Sequence, residues 1–149
     1  MGAAGCQIGT RFVCATESIA HANFKKVILH AKARDAQLSL QLDPDFPVIP
    51  VRALTNKATE NFFAAQRDAI ARYRAGELDQ KEAQLVIEHF WAGSLRRAVI
   101  DGDVEHGSLM AGQSVGMVER EQPIADIVEE LMSQATQTLA ERIRRLSIG

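Results

Sequence analysis

The segment Cys6-Gln7-Ile8-Gly9-Thr10 joins residue types that suit an anion. Gly9 has no side chain to block close approach, so the backbone N–H groups beside it stay open to a ligand. Thr10 adds a hydroxyl, and a helix beginning after Thr16 would add its dipole. A plain Gly-Thr turn explains the same letters, and spacing alone leaves both readings open.

The glycine-punctuated stretch Met110-Ala111-Gly112-Gln113-Ser114-Val115-Gly116 is the second candidate. Its small residues and single carboxamide suit the close approach of a helix to another helix or to a ligand. Asp101-Gly102-Asp103-Val104-Glu105 resembles the start of a calcium loop, but His106 stands where that loop needs glycine and Gly112 where it needs glutamate. A solvated turn is the expectation there.

None of the four histidines pairs at the spacing of a helical zinc site, and none is assigned a catalytic role. His89 falls on an apolar helical face, where a hydrogen-bonded core histidine is expected. No serine sits in a nucleophile elbow, no carboxylate pair has catalytic spacing, and no metal is assigned. Cys6 and Cys14 share one extended segment, so their Cα atoms should lie about 26 Å apart, too far for a disulfide. Both are expected to be reduced and buried.

The elements that would position these groups follow from periodicity. Cys6 to Ala15 is an apolar run broken only by Gly9-Thr10, the pattern of a buried parallel strand. Phe24, Val27, Ile28 and Ala31 place a helix over 19–33, with Thr16 and Ser18 as capping types. Leu38, Leu40 and Leu42 alternate, and Pro44, Pro47 and Pro50 exclude a helix, so 36–54 reads as an extended arm or hairpin.

Helical spacing returns at Phe62, Phe63, Ile70 and Tyr73 and stops at Gly76; Asp79 and Glu82 then form a capping box before Leu85, Val86, His89, Phe90 and Trp91. A short helix covers 95–100. The last helix has Pro123 in its first turn and an apolar stripe of Ile124, Ile127, Val128, Leu131, Met132, Ala135, Leu139, Ile143 and Leu146. Five or six helices accompany one clear strand, which leaves that strand without neighbours.

The 149 residues, 46% hydrophobic and 24% charged with a net charge of −2, suit one globular domain. Basic residues fall in separated groups, so nucleic acid is not an expected partner. No apolar run is long enough to span a membrane. The first five residues lack the features of a signal peptide, and a cytoplasmic location is expected.

GAAGCQIGTRFVCATES, HANFKKVILHAKARD, PVRALTNKATENF and SLRRAVIDGDVEHGSLMAGQSVGMV, followed by the closing helix, occur here in the order seen in a known family. The chain resembles the C-terminal part of the FMN-dependent nitronate monooxygenase and enoyl-acyl carrier protein reductase II family over nearly its whole length. The GTRF and MAGQ segments are specific in combination.

The resemblance implies an α/β fold: the C-terminal segment of a (β/α)₈ barrel, which by itself is mostly helical with one to three short strands. It divides a single partial domain into the last barrel strand and helix (1–34), an extended crossing segment (35–58) and C-terminal helices (59–149). Cys6 to Val13 becomes strand eight. Gln7, Ile8, Gly9 and Thr10 then match the family's second phosphate-binding segment, with backbone N–H groups as donors, and Gly112 and Gln113 are the further candidate cofactor contacts.

FMN is the implied cofactor, NAD(P)H the possible reductant, and a nitronate or enoyl thioester the small-molecule substrate. The family's first phosphate loop, the strands around the flavin ring and the catalytic histidine would lie before Met1, so no catalytic residue is carried over. A catalytically inactive fragment that pairs with a missing N-terminal portion, or a helical module that forms a homodimer, is the alternative expectation.

Overall fold

The computed structural model describes residues 4–147. Its helices are α1 (Thr10–Val13), α2 (Ala22–His30), α3 (Lys57–Arg74), α4 (Gln80–His89), α5 (Ser94–Val99) and α6 (Ile124–Leu146). The strands β1 (Ala36–Leu38) and β2 (Arg52–Leu54) pair antiparallel, with Ala36 opposite Leu54. Met110 bridges to Ala53 on the far side of β2, where Leu54 N donates to Leu109 O at 2.9 Å and Ala111 N to Arg52 O at 3.2 Å. The 109–111 segment is thereby held as a third extended run.

The strand expected over Cys6 to Val13 is absent. Residues 5–9 carry no ladder, and Thr10 to Val13 form one helical turn. A strand exists only through a neighbour that takes its N–H and C=O groups, and none among the described residues lies beside this segment. Just beyond it, Ala15 makes a parallel bridge with Gln122. The helix expected over 19–33 is shorter at both ends; His21 is its N-cap and accepts from Asn23 N through Nδ1 at 3.1 Å, while Ser18 accepts from Ala20 N.

Two clusters make up the interior. In one, Cys14, Phe24, Ile28, Leu54, Leu109 and Val115 join α2, the sheet and the 109–118 segment. In the other, Phe46, Phe62, Ala69, Ile70, Ala83 and Ile87 join the extended arm to α3 and α4, with Phe62 ringed by Phe90 and Trp91 at 5.2 and 4.8 Å. Gln66, 1% exposed, anchors the arm by donating to Leu40 O and accepting from Leu42 N.

The caps explain where the middle helices begin. Asn56 caps α3 and also donates to Val104 O and Gly107 O, tying that helix to the 104–107 turn. Asp79 and Glu82 form the expected capping box of α4. His89 is exposed at the end of α4, contrary to its expected core position, because Ala83 and Ile87 take the buried face.

Pro123 is the N-cap of α6 rather than a first-turn residue, and it offers no side-chain cap. Glu17 supplies one from a distance: its carboxylate accepts from Ile124 N at 3.0 and 3.1 Å. Of the apolar stripe on α6, only Ile127 is buried. No helix among the described residues is long and apolar enough to cross a membrane.

Candidate cofactor site

The turn at Gly9 begins α1, and its local geometry leaves donors free. Phe12 N and Val13 N both donate to Gly9 O, which closes the single turn. The amides of Gly9, Thr10 and Arg11 have no acceptor among the described residues, as the opening of a helix dictates. An added Cβ on Gly9 would meet nothing within 4 Å, so interior packing does not demand a glycine there.

Thr10 is buried at 9% exposure, and its Oγ1 accepts from Gly112 N at 2.9 Å. This bond brings together two segments that the sequence singled out separately. They meet in a cleft of about 790 Å³ lined by Gln7, Ile8, Gly9, Thr10, Gly112, Ser114 and Gly116, with Arg11, Arg120, Glu130, Leu131 and Gln134 among the other walls. Gln113 does not line the cleft; it is exposed at the start of a 3-10 turn, Gln113–Met117.

The charged side of this cleft brings together residues from both ends of the chain. Arg11 donates to Arg120 O at 3.1 Å and to Gln122 Oε1, and its guanidinium lies 3.5 Å from Glu130 Oε2. The same carboxylate oxygen is 3.7 Å from Arg120 and accepts from Gln122 Nε2 at 3.2 Å. Glu130 therefore ties α6 to α1 through Arg11 and to the 120–122 segment through Arg120 and Gln122. Arg11 had a local signal, since it follows Gly9-Thr10 directly. Glu130 had none, because 119 positions separate it from Arg11.

Behind the turn, Lys25 is buried, donates to Ala15 O at 2.7 Å and pairs with Glu121 at 3.2 Å. This fixes the 14–16 segment against 121–122, where Thr16 N also donates to Gln122 O. Cys14 is buried, and burial, followed by the charge of Glu121, pushes its thiol above the usual range. Cys6 is exposed, contrary to expectation, because the unpaired 5–9 segment has no sheet to lie in.

Asp103 Oδ1 accepts from the amides of Glu105 and His106, so the acidic 101–105 stretch is spent on turn formation. Among the described residues, no group of three His, Cys, Asp or Glu could hold a metal ion. Because Glu130, Gln122 and Arg120 O already engage the Arg11 guanidinium, the donors left at the cleft for a compact anion are the backbone amides of the Gly9 turn.

Comparison with known proteins follows the same outline. No curated protein sequence matches the chain. Among solved structures it is similar to FabK from Thermotoga maritima, with 30% identity and a TM-score of 0.69 over 93% of this chain and 38% of that one. A point mutant of that FabK matches with 31% identity and a TM-score of 0.65, covering 96% of this chain and 36% of the other. The chain thus spans less than two fifths of the length of these structures. The nitronate monooxygenase family model matches residues 1–134, and by that match, over most of its length, the chain belongs to the nitronate monooxygenase family.

Proposed function

We propose that this chain supplies the phosphate-holding part of an FMN-dependent oxidoreductase of the nitronate monooxygenase type, acting on nitronates or NAD(P)H. The observation that carries this reading is the Thr10–Gly112 hydrogen bond, which sets the Gly-Thr turn and the glycine-rich segment on one cleft. The residues fit a phosphate: the amides of Gly9, Thr10 and Arg11 lack acceptors among the described residues, and the Cβ position of Gly9 is open. When bound, FMN supplies the redox chemistry.

In this reading Gln7 to Thr10 hold the phosphate through backbone N–H groups, and Gly112 keeps the facing wall free of a side chain. Thr10 sets the spacing between the two walls. Gln113 is not retained as a contact in this conformation. The 1–34 region then serves as the end of a (β/α)₈ barrel, 35–58 as the crossing arm and 59–149 as the C-terminal helices. No residue here is assigned as the catalytic base, because none of the four histidines lines the cleft.

Enoyl-acyl carrier protein reduction is the second reading, favoured by the likeness to the two FabK structures. Titration of the chain with FMN and with riboflavin, followed by flavin fluorescence, tests the phosphate site. FMN is expected to bind at least about tenfold more tightly, since only it brings a phosphate to the free amides. Equal affinity for both flavins, or binding of neither, overturns the reading.

A further inference from the structure

Two neighbouring side chains fasten the Gly9 turn to the rest of the fold, and the second is held by a residue outside the cleft. α1 is a single turn of four residues with no side-chain cap, and one helical turn does not hold its own direction. Thr10 is fixed by the amide of Gly112. Arg11 is fixed from the other end of the chain: its guanidinium, 15% exposed, donates to Arg120 O at 3.1 Å and to Gln122 Oε1.

Gln122 is buried, and each of its polar atoms has a partner. Its backbone N donates to Cys14 O and its backbone O accepts from Thr16 N, so it is fastened to the segment that leaves the turn. The direction of its carboxamide is dictated, because a guanidinium only donates and a carboxylate only accepts. Oε1 therefore faces Arg11, and Nε2 donates to Glu130 Oε2 at 3.2 Å. A carboxylate at position 122 would stand against Glu130. A hydrocarbon there would leave Arg11 only the Arg120 carbonyl and the more distant Glu130. Gln122 is not among the walls of the cleft, so it meets no ligand directly.

We propose that Gln122 is a positioning residue: through Arg11 it sets the direction in which the Gly9, Thr10 and Arg11 amides are presented to a phosphate. This role rests on the phosphate reading of the cleft. Three variants test it, Gln122→Leu, Gln122→Glu, and Gln122→Glu combined with Glu130→Gln, each titrated with FMN and with riboflavin by flavin fluorescence. Both single variants should bind FMN at least about fivefold more weakly while riboflavin affinity stays within about twofold, because only the phosphate meets the misdirected amides. The combined variant restores one carboxylate and one carboxamide in exchanged places at unchanged net charge, and should recover FMN binding to within about twofold of the parent chain.

In proton–nitrogen correlation spectra, FMN should shift the Gly9, Thr10 and Arg11 amides of the parent and of the combined variant, but not those of Gln122→Glu at the same concentration. A parent chain with no preference for FMN overturns the phosphate reading and this role with it. A parent that prefers FMN, beside single variants that keep the preference, overturns the role of Gln122 alone. So does an equal loss of both flavins, which marks a purely structural residue, and so does a combined variant that binds FMN no better than Gln122→Glu. If Gln122→Leu fails to fold, the other two variants still decide.

Discussion

Thr10 Oγ1 accepts a 2.9 Å hydrogen bond from the amide of Gly112, 102 positions further along the chain. Thr10→Val removes the acceptor and leaves a half-buried N–H unpaired, which should cost about 1–3 kcal/mol. Thr10→Ser keeps the oxygen and should lose much less. Denaturant titration of the three proteins checks the order, and the flavin titration should show weaker FMN binding for the valine variant alone.

Two glycines should respond in opposite ways. A Cβ on Gly107 would lie 2.5 Å from Ala98 N and 2.6 Å from Asp103 O, and backbone cannot step aside cheaply. Gly107→Ala should therefore destabilise the fold by about 1–3 kcal/mol. Gly9→Ala meets nothing and should leave stability within about 0.5 kcal/mol, while weakening FMN by placing a methyl group in the cleft. Thermal melts and flavin titration separate the two effects.

Acid should loosen the start of α6. The own backbone amide of Glu17 and then the Ile124 amide hold its carboxyl below the usual carboxylate range. A lowered folded value means that the cap is fully present above the usual range and is lost as pH falls through the folded value. The Ile124 amide chemical shift, followed against pH by NMR, should titrate with the Glu17 carboxyl, and Glu17→Gln should remove that dependence.

The two thiols should react at very different rates. Cys6 is exposed, while Cys14 is buried and its ionisation is opposed first by burial and then by Glu121. A disulfide reagent should label one thiol rapidly in the folded chain and both in denaturant. Because the raised folded value of Cys14 favours the neutral form, its contribution to stability is present below the ordinary thiol value and is lost as pH rises through the folded one.

The helices and their punctuation were largely legible. Asp79 and Glu82 announced α4, Gly76 the end of α3, and the three prolines the extended arm, because caps and breakers act within four residues of themselves. Gln7 to Thr10 and Gly112 were legible as candidates for the same reason: glycine and threonine limit what the local backbone can present. The error at Cys6 to Val13 has the opposite origin. An apolar run specifies that a segment should be buried, but a strand also requires a partner that the segment cannot encode.

By itself, then, the sequence determined the periodic faces, the helix ends and the two glycine-bearing segments of the cleft, since each depends on neighbours within a turn or two. Tertiary structure alone decided that Thr10 grips Gly112, that Arg11, Arg120 and Gln122 converge on Glu130, and that Glu17 caps α6. It also decided that the stripe on α6 is largely uncovered beyond Ile127. The Thr10–Gly112, Arg11–Glu130 and Glu17–Ile124 contacts join residues 102 to 119 positions apart, and the uncovered stripe depends on a packing partner; local propensity carries no information about either.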